Sequence, residues 1–364
     1  DKIDRYIVKW RAQKQSEHKN SIAFAGYEKD SYIINASFPR FGTGEGKGTL
    51  FESVRGYDIF IVADMFNYGL TYKIYGHEVP MSPDEHYANL KRAISAIGGK
   101  AHRITVIMPM LYEGRQHKRS TRESLDCALA LQELCNTMGV DNIITFDAHD
   151  PRVQNAIPLK GFENVQPVYQ MIKSLANSVE DLNLDNDHMM VISPDEGGMG
   201  RCIYYSTVLG LDLGMFYKRR DYSKVVNGRN PIVAHEFLGT NVEGKDVMIV
   251  DDMISSGESM LEVATKLKEL GAKRIFIFSA FGLFCEGLDR FDEFYEKGLI
   301  DKVFTTNLVY RTPELLKREW YCEVDMSKYV AYIIDTLNHD MSISSLLDPA
   351  DRIYAFLEKR GIKK

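Results

Sequence analysis

Short apolar runs alternate with longer amphipathic stretches along most of this 364-residue chain, and this alternation restricts the fold more than any other feature of the sequence. Seven runs are predicted to be strands, at 57–65, 103–111, 142–150, 188–198, 211–220, 247–253 and 274–281. Four stretches between them repeat apolar residues at helical spacing, at 84–98, 121–138, 165–179 and 258–270. Because parallel strands need long crossover connections, which helices usually supply, the alternation predicts an α/β chain whose parallel sheets are flanked by helices.

The pattern is interrupted in the segment LKGFENVQP at 159–167, where glycine, asparagine and proline replace the regular spacing. A chain of this length is also longer than a typical single domain of about 100–150 residues. We therefore predict two α/β domains with a boundary close to this segment.

Charge and composition exclude several classes of protein. The formal net charge of -6 argues against a general nucleic-acid-binding protein. No apolar run approaches the roughly 18 residues that a membrane helix needs, and residues 1–20 are too charged for a signal peptide. The five cysteines are odd in number and lack metal-type spacing, so we expect reduced thiols. These features predict a cytoplasmic protein that binds neither nucleic acid nor a membrane.

The segment 246–281 combines an apolar strand, two carboxylates, a turn of small residues and an amphipathic helix. A strand–turn–helix unit accounts for the turn, with Ser255 or Ser256 expected to cap the helix. It leaves Asp251 and Asp252 unexplained, because carboxylates at the buried end of a strand are costly without a partner. Ligands bind at the carboxyl ends of strands in open α/β sheets, so the pair indicates a binding site.

Polar side chains follow four of the predicted strands. They are Asp147, His149 and Asp150; Asp195; Lys218, Arg219 and Arg220; and Asp251 and Asp252. A single histidine after a strand is more often a hydrogen-bonded structural residue than a ligand. Together, however, carboxylates and a histidine can hold a divalent metal, while adjacent cationic side chains can neutralise phosphate oxygens. The combination predicts a phosphate-bearing substrate and a Mg²⁺ ion.

Six motifs in this order resemble the ribose-phosphate pyrophosphokinase family from about residue 35 onward. They are RFGTGE (40–45), MLYEGRQHKRSTRES (110–124), FDAHDPRVQ (146–154), VISPDEGG (191–198), VDDMISSGES (250–259) and SISSLL (342–347). The resemblance implies two type I phosphoribosyltransferase-like, Rossmann-like domains, each a mainly parallel sheet flanked by helices. Residues 1–164 would form an ATP-binding domain and 165–335 a ribose-5-phosphate-binding domain, with 336–364 packing back on the first.

The resemblance also implies an activity: transfer of the β,γ-diphosphoryl group of ATP to the 1-hydroxyl of ribose 5-phosphate, giving phosphoribosyl pyrophosphate and AMP. Phe41 would stack on the adenine, and Glu45 would accept a hydrogen bond from its amino group. The implied ATP-binding set is Phe41, Thr43, Glu45, Arg115, Gln116 and His149.

The remaining implied roles concern the second substrate and the transferred group. Asp251 and Asp252 would accept hydrogen bonds from ribose hydroxyls, directly or through a hydrated metal. The implied ribose-5-phosphate set is Arg220, Asp251, Asp252, Ser255, Ser256, Gly257, Glu258 and Ser259. Lys218 and Arg220 would be catalytic, beside the transferring group, and His149 and Asp195 would hold Mg²⁺. Segment 221–236 would be the family's mobile active-site loop.

Some positions depart from the family pattern. Thr43 and His117 each replace an aspartate, which leaves the nucleotide preference open, and Ser255 replaces an aspartate in the phosphate turn. Glu258 puts a carboxylate near an expected dianion, unless it points outward. A type I phosphoribosyltransferase, which carries a similar 250–259 motif, and a catalytically silent regulatory homologue are the alternatives.

Family members form homodimers or homohexamers with a regulatory phosphate site between subunits, so the resemblance implies a homo-oligomer and inorganic phosphate as an activator. The residues for such a site are Ser53, Arg55, Ser342, Ser344 and Ser345. Alternatively, Arg55 makes an ordinary surface ion pair and the serines cap a terminal helix.

Overall fold

The computed structural model describes residues 1–17, 29–119, 121–220 and 232–362, and their side chains except those of 14–17, 218–220 and 232–235. The chain divides into two compact units. The first consists of Asp1–Gln166, Leu308–Tyr310 and Asp325–Leu347, and the second of Pro167–Asn307, Arg311–Val324 and Asp348–Lys364.

The described helices are α1 (Lys2–Glu17), α2 (Pro83–Ile97), α3 (Asp126–Gln132, continued by a π-helical turn, Glu133–Thr137), α4 (Val168–Ser178), α5 (Met199–Leu209), α6 (Glu258–Glu269), α7 (Asp289–Glu296), α8 (Ser327–Asn338), α9 (Ser344–Leu347) and α10 (Ala350–Lys359), with 3₁₀ turns at Pro151–Ala156 and Leu315–Lys317. The described strands are β1 (Ala36–Ser37), β2 (Thr49–Leu50), β3 (Asp58–Val62), β4 (Thr71–Ile74), β5 (His77–Pro80), β6 (Arg103–Ile107), β7 (Asn142–Phe146), β8 (Gly161–Val165), β9 (Met189–Ser193), β10 (Asp212–Arg220), β11 (Ile232–Leu238), β12 (Asp246–Ile254), β13 (Ile275–Gly282), β14 (Lys302–Thr306) and β15 (Tyr321–Val324).

The first unit is built on a parallel sheet in which the described strands follow the order β3-β6-β7-β8. Its core lies between this sheet and helices such as α2, which buries Tyr87, Leu90 and Ile94. Helix α2 begins with a capping box, in which Ser82 and Glu85 each bond to the other's backbone N–H. Two short antiparallel pairs, β1–β2 and β4–β5, complete the described strands of this unit.

The second unit contains a larger sheet, whose described strands follow the order β11-β10-β9-β12-β13-β14-β15. Neighbouring strands are parallel except β10 and β11. Every residue of β9 and of β13 is buried, because a parallel sheet carries helices on both faces. Strands β9 and β12 are neighbours, so their carboxyl ends and the loops that follow them share one edge of the sheet.

The α/β prediction with parallel sheets is confirmed, and each of the seven predicted strands and four predicted helices overlaps an element of the expected type. The prediction that 221–236 is a loop was wrong for its last residues, because β11 begins at Ile232 and pairs with β10. The rest of that loop, 221–231, lies outside the described residues. No helix in the described part of the chain combines the length and the apolar composition needed to cross a membrane.

The C-terminal segment is divided between the two units, whereas the sequence predicted that all of 336–364 packs on the first domain. Helix α8 lies against α1, where Tyr332 stacks on Trp10 with 4.5 Å between ring centroids. Helix α10 instead lies against α4 of the second unit, with the guanidinium of Arg352 5.4 Å from the ring centroid of Tyr169. The amphipathic face of α10, which buries Ile353 and Leu357, accounts for this separate attachment.

Candidate active site

The carboxylate pair lies where β12 extends beyond its neighbour β9, whose pairing with β12 ends at Ile249. Asp252 is 4% exposed, and its backbone N–H donates to Oδ1 of Asp251 over 2.9 Å. The loop before α5 fills the space beside this extension. A β-carbon built on Gly198 would lie 3.6 Å from the carbonyl oxygen of Val250 and 3.7 Å from Oδ1 of Asp251.

An arginine that the sequence patterns did not single out lies against this pair. Nη1 of Arg201, in the first turn of α5, is 3.5 Å from Oδ1 of Asp251. Burial and the neighbouring Asp252 raise the pKa of Asp251, while Arg201 acts in the opposite direction. The sequence signal was a basic residue shortly after the VISPDEGG motif, but its partner is 50 positions away, and only the fold brings the two together.

The turn after β12 places the amino end of α6 beside the carboxylates. Gly257 is the residue that precedes the helix, with φ +82°, so the prediction that Ser255 or Ser256 is the N-cap was wrong. Ser256 still contributes, because its Oγ accepts a hydrogen bond from the N–H of Glu258 over 3.3 Å. Unpaired N–H groups at a helix start favour anions, so this turn suits a phosphate group.

Glu258 does not place its charge inside this turn. Its side chain is 62% exposed, and Oε1 lies 3.5 Å from Nη1 of Arg290, which is 47% exposed. Ser259, the next residue, is also exposed. Ser255 is the first residue after β12, and its Oγ is 3.8 Å from Sγ of Cys285.

Asp195 belongs to the loop between β9 and α5. Its Oδ1 accepts hydrogen bonds from the N–H groups of Gly197 and Gly198 over 2.8 and 3.2 Å, while Oγ of Ser193 donates to its carbonyl oxygen. The side chain is half-buried. These backbone contacts orient the carboxylate before any ligand binds, as a metal-binding carboxylate requires.

Lys218 and Arg220 end strand β10, which pairs with β9 as far as Met215 and then continues beside β11. Their backbone therefore extends from the same sheet edge as the loops after β9 and β12. Their side chains lie outside the described part of the structure, so their catalytic role stays a prediction.

In the first unit, residues 40–46 form a tight turn that leaves Phe41 56% exposed. The N–H of Phe41 donates to the carbonyl oxygen of Glu45 over 2.8 Å, and the N–H of Gly44 donates back to that of Phe41. The hydroxyl of Thr43 donates to Oε2 of Glu45 over 2.9 Å. Thr43 therefore orients the carboxylate that the resemblance assigns to the adenine amino group.

The β4–β5 hairpin supports this turn. The N–H of Tyr75, at the hairpin tip, donates to the carbonyl oxygen of Gly42 over 2.9 Å. A β-carbon on Gly44, which has φ +93°, would lie 2.7 Å from Cδ1 of Ile74. The hairpin and the turn are therefore packed so closely that position 44 has no room for a residue larger than glycine.

His117 and the residues that follow β7 form a second cluster of the first unit. Arg115, Gln116 and His149 are exposed. The half-buried ring of His117 lies edge-on to that of His149, with centroids 5.3 Å apart, and its Nε2 is 3.4 Å from Oδ2 of Asp150.

The surroundings of His117 and Asp150 shift the pKa values of both groups. Burial lowers the pKa of His117, which favours the neutral imidazole, although Asp150 opposes the effect. The hydrogen bond from Arg152 lowers the pKa of Asp150 to about 2, so this carboxylate is ionised at neutral pH. His117, flagged only as a departure from the family pattern, is thus part of the cluster around His149.

The residues expected to hold magnesium belong to different units, His149 to the first and Asp195 to the second. Within the described ranges, no three side chains of the His, Cys, Asp and Glu types lie close enough together to hold a metal ion. The carboxylate of Asp195 is the kind of ligand that Mg²⁺ prefers, since this ion binds through one or two carboxylates and retains several water ligands.

The predicted phosphate-regulatory residues lie in the first unit. Ser53, Arg55 and Ser345 are exposed. The hydroxyls of Ser342 and Ser344 are 2.8 Å apart, and Oγ of Ser342 accepts from the N–H of Ser344 at the start of α9. Ser342 and Ser344 therefore contact each other locally at the start of α9, and Arg55 lies at the surface.

Three family models match the chain in order. They are the N-terminal domain of ribose phosphate pyrophosphokinase over residues 14–139, a phosphoribosyl transferase domain over 160–283 and a phosphoribosyl synthetase-associated domain over 226–348.

Similar proteins extend this match over most of the chain. A ribose-phosphate pyrophosphokinase of Shewanella oneidensis is 30% identical over 311 residues, which cover 84% of this chain and 89% of the relative. One of Vibrio parahaemolyticus is 28% identical over 320 residues, covering 86% and 91%. The crystal structure of phosphoribosylpyrophosphate synthetase from Mycobacterium smegmatis shares the fold, with a TM-score of 0.68 at 22% identity, covering 85% of this chain and 92% of that one. These relatives match both units, over most of this chain and most of their own lengths. The chain therefore belongs to the ribose-phosphate pyrophosphokinase family.

Proposed function

We propose that this chain is a ribose-phosphate diphosphokinase, which transfers the β,γ-diphosphoryl group of ATP to the 1-hydroxyl of ribose 5-phosphate and releases AMP. The observation that carries the proposal is the strand-end site of the second unit, with two carboxylates, a glycine turn and a helix start. Relatives named ribose-phosphate pyrophosphokinase match the chain over this unit and over the first, which carries the Phe41 turn.

Each half of the reaction has its own residues in the proposal. In the second unit, Asp251 and Asp252 accept hydrogen bonds from ribose hydroxyls, and the turn at 255–259 binds the 5-phosphate. In the first unit, Phe41 provides an exposed ring for the adenine and Glu45 accepts from its amino group. Arg115 and Gln116 contact the rest of the nucleotide.

Catalysis in this proposal is a matter of alignment and charge, since no covalent enzyme intermediate is needed. Lys218 and Arg220 neutralise the negative charge that develops on the transferring group, which matters most in the transition state. His149 and Asp195 hold a Mg²⁺ ion. When bound, the ion neutralises phosphate oxygens and makes AMP a better leaving group.

The assembly and its control are part of the proposal. The chain acts as a homo-oligomer, at least a dimer, and inorganic phosphate activates it through Ser53, Arg55 and the 342–345 serines. The exposed positions of Phe41 and Arg55 support surface roles for both.

One assay separates the alternatives. Protein, Mg²⁺, ATP and ribose 5-phosphate are mixed, and AMP and phosphoribosyl pyrophosphate are measured. A diphosphokinase forms both in equal amounts. A phosphoribosyltransferase, which the match over 160–283 taken alone would suggest, forms neither but consumes added phosphoribosyl pyrophosphate when a base is supplied. A silent homologue does neither, and that result would overturn the proposal.

A further inference from the structure

One contact of the second unit that has no assigned role joins Arg201 to Asp251 of the carboxylate pair. The Arg201 side chain is 10% exposed, and Nη1 lies 3.5 Å from Oδ1 of Asp251, which is 24% exposed. A charge this deeply buried is costly unless another charge compensates it. Asp251 has the same need, since it stands beside the buried Asp252.

Packing fixes the arginine in this place. The residue after it, Cys202, donates through Sγ to the carbonyl oxygen of Val250 over 3.3 Å. Gly198, just before α5, approaches the same carbonyl and Oδ1 of Asp251 so closely that a β-carbon there would touch both. The start of α5 and the end of β12 are therefore held together on both sides of the Arg201–Asp251 pair.

An exposed arginine–carboxylate pair at the surface of α6 offers a comparison. Arg290 and Glu258 also lie 3.5 Å apart, but their side chains are 47% and 62% exposed. Solvent-exposed pairs of this kind contribute little, because water screens them. The buried pair, in contrast, acts on a carboxylate that the proposed function assigns to the sugar.

We propose that Arg201 is a positioning residue of the ribose-5-phosphate site, which orients the Asp251 carboxylate to accept hydrogen bonds from the ribose hydroxyls. The inference rests on the proposed function. A site built around a hydroxyl acceptor discriminates strongly against an analogue that lacks the hydroxyl, because its polar group is then left unpaired. Arg201 thus contributes to the preference for ribose 5-phosphate over 2-deoxyribose 5-phosphate.

The test uses the full chain with Arg201→Met, Arg201→Lys and the matched control Arg290→Met. We expect Arg201→Met to raise the KM for ribose 5-phosphate at least about tenfold and to leave the KM for ATP within about twofold, on the scale of losing one charged contact. The preference for the ribose over the deoxyribose substrate should fall about tenfold, and the lysine variant should recover part of it. Arg290→Met should match the wild type.

A double variant separates positioning from folding. Removing Arg201 alone leaves buried carboxylates uncompensated, so Arg201→Met should unfold at a lower temperature than Arg201→Met/Asp251→Asn. Both variants should nevertheless bind ribose 5-phosphate weakly in calorimetric titrations. If the KM values for both substrates rise equally, or if sugar discrimination is unchanged, Arg201 has no positioning role.

The same titrations distinguish this failure from failure of the proposed function. Wild-type protein that binds ribose 5-phosphate but forms no AMP contradicts the diphosphokinase activity, while the comparison between Arg201→Met and Arg290→Met still decides the role of Arg201. Wild-type protein that does not bind ribose 5-phosphate overturns both.

Discussion

Gly257 shows how a single residue type is required by both backbone and packing. Its φ of +82° lies in the left-handed region that residues with a β-carbon rarely adopt. A β-carbon there would also lie 2.4 Å from Cζ of Phe291, a ring that is fully buried. Since this residue immediately precedes α6, any shift of the backbone would move the turn that is proposed to bind the 5-phosphate.

Replacing Gly257 with alanine should therefore affect both stability and substrate binding. We expect Gly257→Ala to lower the free energy of unfolding by about 1–3 kcal/mol and to raise the KM for ribose 5-phosphate at least about tenfold. Gly244→Ala is the matched control, because Gly244 has φ +73° but a β-carbon there meets nothing within 4 Å. Denaturant unfolding and steady-state kinetics measure both quantities. Equal KM values for the two variants would contradict the role of the turn.

At the scale of elements, apolar runs were the signal by which strands were predicted. Strand β9 and the Val247–Val250 part of β12 contain such runs, which are typical of parallel sheets, whereas the buried strand β14 was missed. The β4–β5 hairpin was not predicted, because its residues are exposed or half-buried and give no apolar pattern. The capping residue of α6 was also missed, since the choice between serine and glycine depends on a backbone angle that sequence spacing does not encode.

The hairpin leads to a prediction about the nucleotide. Ile74 packs against Gly44 in the turn that carries Phe41 and Glu45, so it stabilises the turn's conformation. We expect Ile74→Ala to raise the KM for ATP about threefold to tenfold, as loss of roughly 1 kcal/mol of packing implies, and to leave the KM for ribose 5-phosphate unchanged.

The neighbouring Lys73 is exposed on the other side of the strand, so Lys73→Ala serves as the control. Substrate titrations of both variants give the four KM values. An unchanged KM for ATP in Ile74→Ala would mean that the hairpin does not support the nucleotide turn.

At the scale of the whole molecule, the order of motifs was enough to predict the family and the two-part α/β architecture. Contacts between distant segments were not predictable, because they depend on how elements pack. Arg201 reaches Asp251 only through the packing of α5 on β12, and His117 reaches Asp150 only through the turn after β6. The attachment of α10 to α4 belongs to the same class.

The proposed regulatory site belongs to this scale as well. Arg55 is exposed and offers a guanidinium that can bind phosphate through two hydrogen bonds. We expect inorganic phosphate to stimulate the enzyme and ADP to inhibit it beyond competition with ATP. In Arg55→Ala, the concentrations of phosphate and of ADP that give half of each effect should rise at least about tenfold.

Arg5→Ala, at an exposed position of α1, is the control for loss of a surface charge. Light scattering should show at least a dimer. Full activity in phosphate-free buffer, together with a monomeric mass, would contradict this part of the proposal and leave the chemistry untouched.

The central claim is that an intact diphosphoryl group moves from ATP to ribose 5-phosphate. The most direct measurement follows ATP labelled with ³²P at the α, β or γ position. It is made with the wild-type protein and with Lys218→Ala. Lys266 is an exposed lysine of α6, so Lys266→Ala is the control. The Lys218 variant should fold normally and turn over at least about a hundredfold more slowly. With the wild type, label from the β and γ positions should appear together in phosphoribosyl pyrophosphate, and label from the α position should appear only in AMP. Transfer of γ-label alone, with release of ADP, would contradict the account.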